Sequence, residues 1–285
     1  MCCCVSIPRA PVPSAKRALA LGVKTAAATV DSVRVPAQGV VVLLYHRVGR
    51  RSSLEVDLEE AVFEDQMAFL ADSTDVIPLD LALERLSAPG YVPRAPSVAV
   101  TFDDGTDDFV DVALPVLARY RIPVTMYLAT SFVEDGVAFP GGGLPASWSG
   151  LADACATGLV DVGSHTHRHR LLDRLAPGEV AEELDRSVGL IAERLGRAVT
   201  DFAYPKAVLG SPDAERAVQD RFRSAALAGT RPNAFGHTDV YRLARSPIQR
   251  LDATRFFRRK VAGGMALEDA MRRMANRIRY AGARS

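Results

Sequence analysis

Cysteine is scarce in this sequence, and its placement excludes a disulfide-stabilised fold. Three of the four cysteines are the adjacent residues Cys2, Cys3 and Cys4, and the fourth is Cys155. Adjacent cysteines cannot link distant parts of a core, and none of them follows the CxxC spacing that is typical of zinc sites. We therefore expect residues 2–4 to lie in a solvent-exposed tail, without a disulfide framework or a cysteine-bound metal.

Long apolar runs and an excess of one charge are missing as well. No segment approaches the ~20 consecutive apolar residues that a membrane-spanning helix needs. Lys and Arg number 35 against 34 Asp and Glu, a formal charge of +1, so nothing favours nucleic acid as a partner. The best candidate for a signal peptide, residues 17–30, is interrupted by Lys24. The sequence as written therefore predicts a cytoplasmic or membrane-peripheral protein.

What remains is the composition of a globular protein. The chain has 285 residues, of which 48% are hydrophobic and 24% charged, and it suits one large domain or two small ones. Residues 1–38, rich in Ala, Pro, Val and Ser, are predicted to be a poorly ordered tail with at most a short helix near residues 15–31. Residues 39–265 are predicted to form the main domain. Residues 266–285 are predicted to form an amphipathic helix that docks on this domain or, alternatively, lies on a membrane surface.

Short apolar strands alternate with amphipathic helices from residue 39 onward. The predicted strands cover residues 39–45, 75–77, 96–102, 124–129, 159–163, 199–204 and 224–227, and the helices between them cover residues 62–70, 79–86, 107–120, 151–157, 178–195 and 213–220. This alternation implies a parallel sheet covered by helices. About seven such units fit between residues 39 and 265, close to the number that a (β/α) barrel needs. We therefore predict an α/β fold, a distorted (β/α)7-type barrel with parallel strands and outer helices.

Two adjacent carboxylates end one of these strands. The apolar strand at residues 96–102 runs directly into Asp103 and Asp104, and a glycine then permits a tight turn. The carboxyl ends of parallel strands form the functional face of α/β folds. Adjacent side chains at a strand end point in different directions, so these two carboxylates can take different roles at one site. The alternative is that they cap the next helix, although Asp107 and Asp108 lie closer to it.

Histidines are concentrated directly after another predicted strand. Three of the five histidines in the chain, His165, His167 and His169, lie close together in the sequence. Two nitrogens that share one metal, each ~2.0–2.1 Å from it, must lie within a few ångströms of each other. Four residues of an extended segment span about 13 Å, whereas four residues of a helical turn rise only ~6 Å. His165 and His169 therefore share a metal only if the segment coils, and His165 with His167 is the alternative for an extended segment.

These residue types suit a hydrolytic metal site. Two imidazoles and one carboxylate favour zinc over cobalt, nickel, iron or manganese, and they leave positions open for water or substrate. A second carboxylate that does not bind the metal remains free. Such a set is what a hydrolase needs to activate water.

Together the motifs resemble those of the polysaccharide deacetylase family, also known as carbohydrate esterase family 4 or the NodB homology domain. The resemblance rests on TFDDG at residues 101–105 followed by HTxxH at residues 165–169, and it extends over residues 40–262. Tyr45-His46 at the first strand and FAYP at residues 202–205 resemble the branch that includes bacterial poly-N-acetylglucosamine deacetylases. Members of the family often act outside the membrane, so an extracytoplasmic location is the alternative to the one predicted above.

The resemblance implies a role for individual residues. Asp103 matches the general base that takes a proton from the metal-bound water. Asp104, His165 and His169 match the ligands of a divalent metal, most often Zn²⁺, with Co²⁺ or Ni²⁺ as alternatives. His46 matches the general acid of the branch with Tyr-His at its first strand. The alternative for His46 is a hydrogen-bonded histidine at a strand end.

The resemblance extends less completely to the substrate groove. Tyr204 and Pro205 match a wall of this groove, where a backbone N–H helps to stabilise the oxyanion. Many relatives have an arginine in place of Ala203, and this arginine orients the base. Here Arg242 or Arg245 is expected to replace it by reaching the carboxylates, because a nearby arginine keeps a carboxylate ionised. Arg245 is also a candidate for contacting the substrate.

The sequence thus predicts a metal-dependent hydrolase that removes N-acetyl groups from the amino sugars of a poly- or oligosaccharide. A metal-activated water attacks the amide carbonyl, with Asp103 as the base and His46 as the acid that protonates the departing amine. The predicted partner is therefore a carbohydrate that bears N-acetyl groups.

Three alternatives to this function remain open. A related amide hydrolase that acts on a small molecule or a lipid-linked sugar is favoured by the long loop at residues 139–145 and by Lys206-Ala207, where relatives have an aromatic residue and glycine. A metal-bearing carbohydrate-binding protein without catalysis is favoured by the lack of the late DxxxW and LxIH motifs. An unrelated barrel amidohydrolase would use His165 and His167 as its ligand pair.

Overall fold

The fold is a parallel β-barrel surrounded by helices. The computed structural model describes residues 15–30, 36–88, 90–93 and 95–281. Its strands are β1 (Gly39–Tyr45), β2 (Arg47–Val48), β3 (Asp57–Leu58), β4 (Asp75–Val76), β5 (Ser97–Asp104), β6 (Val124–Leu128), β7 (Val160–Ser164), β8 (Asp201–Ala203), β9 (Ser224–Ala228), β10 (Asn233–Ala234) and β11 (Leu243–Pro247). Its helices are α1 (Ala15–Val30), α2 (Glu60–Ser73), α3 (Leu79–Ser87), α4 (Leu114–Tyr120), α5 (Thr130–Asp135), α6 (Trp148–Ala156), α7 (Pro177–Leu195), α8 (Pro212–Gln219), α9 (Thr254–Val261) and α10 (Ala266–Ala281).

Seven of these strands close into a ring. Their order is β1-β11-β9-β8-β7-β6-β5, and β5 pairs again with β1. Every neighbouring pair in the ring is parallel. Outside the ring, β4 pairs with the first residues of β5 and β10 runs antiparallel to the start of β1. The predicted α/β fold, a distorted (β/α)7-type barrel, is therefore confirmed.

The first strand shows why a continuous apolar run belongs in this barrel. Both faces of β1 are buried, since one faces the helices and the other faces the barrel interior. Leu43 and Tyr45 pack in the large core under the helices, together with Phe63 of α2. Val40 and Val42 face the interior. A strand with polar residues on either face would leave them buried without partners.

The interior of the barrel combines one large side chain with small neighbours. Tyr127 of β6 is fully buried next to Ala203 and Ala226. A Cβ added at Gly163 of β7 would lie 2.6 Å from Tyr127 Cδ1 and 2.8 Å from the carbonyl oxygen of Asp201. The absence of a side chain at Gly163 therefore makes room for the Tyr127 ring.

We expect Gly163→Ala to lower the free energy of unfolding by about 2 kcal/mol, because it overpacks the core. In thermal denaturation followed by circular dichroism, this loss lowers Tm by roughly 4–8 °C. Gly189→Ala is the matched control, since Gly189 lies on the exposed side of α7 with no atom within 4 Å of an added Cβ. Alanine at that helix position should instead stabilise by about 0.5–1 kcal/mol. An unchanged Tm for Gly163→Ala would contradict the packing around Tyr127.

Helix α3 closes the end of the barrel at which the strands begin. Leu79, Ala82 and Leu86 of this helix pack in the same apolar cluster as Val40 and Val42 of β1. The opposite end is formed by the carboxyl ends of the strands, where parallel barrels carry their functional residues. The fold therefore leaves one end of the barrel available for a site.

The set of strands predicted for the ring needs correction at one predicted strand and one missed strand. The predicted strand at residues 75–77 is the short strand β4, which lies outside the ring. Six of the seven ring strands correspond to predicted strands. The seventh is β11, where the sequence predicts no strand. The strand count is therefore confirmed with a different set of strands.

The predicted N-terminal tail is partly packed on the domain. Residues 15–30 form α1, and its Lys24, Ala27 and Ala28 are buried against α9 and α10. The short helix that the sequence predicts near residues 15–31 is therefore present, and it packs on the domain. Residues 1–14, with the adjacent cysteines, lie outside the described residues.

The predicted C-terminal helix is present as α10 and docks on α1 and α9 through Leu267. Within the described segments, no helix has the length and apolar character needed to cross a bilayer. The domain boundaries at residues 38 and 265 remain predictions.

Candidate active site

The carboxyl end of β5 places its two carboxylates differently. Asp103 is 3% exposed and faces the barrel interior, whereas the side chain of Asp104 is 20% exposed. Asp104 has a φ of 78° and Gly105 a φ of 94°, so the chain leaves the strand in a left-handed conformation. A Cβ at Gly105 would lie 2.6 Å from Leu128 Cδ2, which explains the glycine. The turn therefore lets neighbouring carboxylates face different groups at one site.

The segment after β7 coils and brings two histidines together. Thr166 and His169 have φ values of 66° and 55°, and His165 Nε2 lies 3.2 Å from His169 Nε2. His167 turns away, and its Nδ1 lies 3.1 Å from Thr130 Oγ1. Of the two pairs that the sequence leaves open, the structure therefore brings together His165 and His169. The pair required by the unrelated amidohydrolase alternative is not formed.

Asp104 completes a set of three donors that fits one divalent metal. Its Oδ1 lies 3.9 Å from His165 Nε2 and 3.8 Å from His169 Nε2. Two ligands that one zinc ion holds at about 2.0–2.2 Å are at most about 4.4 Å apart, so the three donors lie within that limit. His165 Nδ1 donates to the carbonyl oxygen of Ala203 at 2.7 Å, which leaves the Nε2 lone pair available to a metal.

The protonation of His169 also suits a metal ligand. Burial lowers the pKa of His169, and His165 beside it adds to this effect, so the pKa falls to about 4. The imidazole is therefore neutral at pH 7, as a metal-binding histidine must be. Two imidazoles and one carboxylate are donors that zinc accepts while keeping open positions for water.

Arg245 of β11 forms a two-point ion pair with Asp103. Its Nη1 and Nη2 donate to Asp103 Oδ1 and Oδ2 at 2.5 and 2.8 Å, and its guanidinium carbon lies 5.0 Å from the centre of the Tyr127 ring. Burial would raise the pKa of Asp103, but Arg245, His165 and His46 outweigh it and lower the pKa to about 2. Asp103 is therefore ionised at neutral pH.

The structure distinguishes between the two arginines considered in the sequence. Arg245 is 1% exposed and reaches Asp103, whereas Arg242 is half exposed and pairs with Glu215. A contact of Arg245 with substrate is not supported, because its guanidinium is buried and already bound to Asp103. Arg245 is instead positioned to orient the carboxylate.

We expect Arg245→Met to lower the free energy of unfolding by about 3–5 kcal/mol, because it leaves the charge of Asp103 buried and unpaired. Urea denaturation measures this loss. Arg242→Met is the control, since it removes an exposed ion pair whose contribution is about 0–1 kcal/mol. A loss for Arg245→Met no greater than that of the control would show that the buried pair is not important for stability.

Known proteins share sequence and fold with this chain. The family model described as polysaccharide deacetylase matches residues 91–220. The structure of IcaB from Ammonifex degensii is 27% identical, with a TM-score of 0.65, over 75% of this chain and 93% of that chain. Residues 91–220 therefore match the polysaccharide deacetylase family in sequence, and the fold is similar to that of solved members. The family model spans Asp103, Asp104, His165 and His169, and it ends before Arg245.

Two further proteins are similar to this chain at lower sequence identity. Streptococcus pyogenes deacetylase PplD, solved in complex with acetate, shares the fold at 19% identity, with a TM-score of 0.65 over 75% of this chain and 93% of that chain. The putative polysaccharide deacetylase YxkH of Bacillus subtilis is 26% identical over 166 residues, which are 58% of this chain and 55% of the relative. The chain thus matches about half the length of this curated relative.

His46 lies directly after β1. It borders the same cleft as Asp103 and the two clustered histidines. In the described part of the chain, its Nδ1 is buried and has no hydrogen-bond partner. A histidine held at Nδ1 for structural reasons would be hydrogen-bonded there, so the structural alternative is not supported at this atom.

A cleft of about 180 Å³ lies beside these side chains. Its lining among the described residues consists of Leu44, His46, Asp103, Asp104, His165, His169, Lys206, Ala207, Ala228, Pro247 and Arg272. Tyr204 and Pro205, which the sequence predicts as a wall, are not part of it. Tyr204 is 1% exposed, packs on Phe202, and donates its backbone N–H to the carbonyl of Ala226 at 3.0 Å. The wall is therefore formed by the two residues that follow Pro205.

Two basic residues of the lining are missing from the sequence-based candidates. Lys206 directly follows the FAYP segment, so its position in the sequence was a usable signal. Arg272 lies in α10, far along the chain from every motif. No sequence pattern connects it with the cleft, because only the docking of α10 brings it there.

Proposed function

We propose that this protein is a metal-dependent hydrolase that removes N-acetyl groups from the amino sugars of a poly- or oligosaccharide. The observation that carries the proposal is the convergence of Asp104, His165 and His169 next to the ionised Asp103. This arrangement combines three metal donors with a separate carboxylate. The match of residues 91–220 to the polysaccharide deacetylase family supports the same reaction.

In this proposal, Asp104, His165 and His169 hold a divalent metal ion, with Zn²⁺ as the first choice and Co²⁺ or Ni²⁺ as alternatives. When bound, such an ion polarises the amide carbonyl and lowers the pKa of a water molecule. The hydrogen bond from His165 Nδ1 to Ala203 orients this imidazole in advance. The site therefore has little to rearrange when it binds the ion.

Asp103 is the proposed general base. Its Oδ2 lies 3.7 Å from His165 Nε2, which places the carboxylate beside the metal donors. The hydrogen bonds from Arg245 fix its orientation, and each carboxylate oxygen keeps a further lone pair for a proton. Positioned proton transfer of this kind contributes typically about 10²–10⁴-fold to the rate.

His46 is the proposed general acid, which protonates the departing amine. It borders the cleft near Asp103 without a hydrogen bond that would hold Nδ1 in another role. The base and the acid therefore come from different strands, β5 and the end of β1, which are neighbours in the barrel. This allows proton removal and proton donation by separate groups.

The decisive experiment measures acetate release from N-acetylglucosamine oligomers of increasing length, with the zinc-loaded protein and with the same protein after chelation. We expect release that depends on the metal and increases with oligomer length. Release from monomeric amides alone would instead favour a small-molecule amide hydrolase. Absence of release from every substrate would contradict deacetylation and favour a binding protein without catalysis.

A further inference from the structure

Two cationic side chains lie in the cleft lining without a role in the chemistry described above. Lys206 and Arg272 border the same cleft as Asp104 and His169. The other arginine at the site, Arg245, is neutralised by Asp103. The lining therefore contains two basic side chains that neither hold the proposed metal nor orient the base, and one of them, Arg272, is ion-paired with Asp269.

The backbone at Lys206 is unusual for a residue with a side chain. Lys206 and Ala207 have φ values of 53° and 54°, so two consecutive residues other than glycine are left-handed. This conformation is unfavourable for residues with a Cβ, and such strain is concentrated at ligand-binding positions in proteins. The strain keeps an exposed lysine at the edge of the cleft.

Arg272 is only partly used by the protein itself. One of its terminal nitrogens, Nη2, donates to Asp269. Its Nε is buried and has no hydrogen-bond partner among the described residues. A guanidinium presents several donors in a planar fork that matches carboxylate and phosphate groups. The buried Nε is not accessible to a ligand, but Asp269 engages only one of the five N–H donors, so the terminal nitrogens at the cleft retain donors for an anion.

A buried charge cluster fixes the helix that carries Arg272. Lys24 of α1 donates to Asp252 and to Glu268 of α10, both at 2.6 Å, and Lys260 of α9 donates to Asp252 at 2.8 Å. Residues four positions apart lie on the same face of a helix. Glu268 faces the body of the protein, so Arg272, one helical turn later, faces it too. There it borders the cleft.

We propose that Lys206 and Arg272 bind an anionic group, a carboxylate or a phosphate, on the N-acetylated sugar that enters the cleft. The inference rests on the proposed deacetylation, because it assigns a substrate class to the same site. The two residues come from different elements that border the cleft, one after β8 and one on α10. They would therefore select amino sugars that carry a negative charge close to the acetamido group.

The test compares three sugars: N-acetylglucosamine 1-phosphate, N-acetylmuramic acid, which carries a carboxylate, and the neutral methyl glycoside of N-acetylglucosamine. Acetate release gives kcat/KM for each. We expect a preference of at least about tenfold for one or both anionic sugars, expressed in KM, because charge-assisted hydrogen bonds are stronger than neutral ones. The preference should decrease at high salt, which screens the partly exposed charges. The favoured anionic sugar identifies the anion as phosphate or carboxylate.

Charge removal at each residue provides the matched variants. Lys206→Gln and Arg272→Gln should each reduce the preference about fivefold to tenfold, and Arg272→Lys should retain part of it. Arg255→Gln is the control, because Arg255 is an exposed arginine of α9 outside the cleft lining, and it should leave the preference unchanged. Calorimetric binding of glucosamine 1-phosphate to the metal-free protein gives a readout that does not depend on turnover. Thermal melts verify that each variant is folded.

The outcomes separate this inference from the proposed function. Acetate release without any preference for anionic sugars, unchanged in both variants, overturns the anion site and leaves deacetylation intact. If no sugar releases acetate but glucosamine 1-phosphate binds and the two variants weaken this binding, the anion site stands and deacetylation fails. Loss of both signals contradicts both proposals.

Discussion

Asp103→Asn is expected to reduce deacetylation about 10²–10⁴-fold while the protein keeps its metal. The substitution preserves the size of the side chain but removes the charge and the ability to accept a proton. Asp103 does not belong to the donor set, in which Asp104 supplies the carboxylate. Turnover is measured by acetate release, and bound zinc by elemental analysis of the same samples.

The interaction of Asp103 with Arg245 requires a control for stability. An amide at this position leaves the buried guanidinium partly unpaired, so some loss of stability is expected together with the loss of turnover. Assays well below Tm separate the two effects. Full activity in a folded Asp103→Asn variant would eliminate Asp103 as the base. Loss of zinc would mean that Asp103 is itself a ligand.

His169→Ala is expected to abolish both zinc binding and turnover. Removal of an outer partner of a metal ligand already weakens binding about 10–100-fold, so removal of the ligand itself should exceed about 100-fold. The site would keep two donors, Asp104 and His165, which is fewer than the three protein ligands of a typical catalytic zinc site. Zinc affinity is measured by competition with a chromogenic chelator.

The same loop supplies the matched control for this experiment. His167 lies two residues away, and its imidazole contacts Thr130 rather than the donor set. His167→Ala should therefore retain zinc, apart from a modest loss of stability. Equal zinc affinity in His169→Ala and the wild type would contradict the ligand set, and loss of zinc in His167→Ala alone would favour the alternative pair.

Much of this site could be predicted because its signals are local. Asp103, Asp104 and the histidines lie at the ends of apolar strands, and parallel strands place such ends on one face of the barrel. The choice between His167 and His169 could not be made from spacing alone. It depended on a coil with left-handed residues, which tertiary contacts rather than propensity impose.

The choice of Arg245 over Arg242, and the presence of Arg272 at the cleft, were beyond the reach of local patterns. Arg245 lies on β11, a strand whose sequence LARSP lacks a continuous apolar run, so no strand was predicted there. The strand becomes recognisable only when it closes the ring between β1 and β9. Similarly, Arg272 reaches the cleft only because a buried charge cluster fixes α10.

The order of apolar strands and amphipathic helices by itself determined the class of fold, and the motifs determined where the chemistry lies along the chain. The fold class and the motif positions are encoded by residues close together in the sequence, through the hydrophobic periodicity of each element and the polar residues that follow each strand. Tertiary structure alone decided which distant side chains meet: the arginine that orients Asp103, the histidine that joins His165, and the cations that border the cleft. Such pairings depend on barrel closure and helix docking, which bring together residues with no relation in sequence.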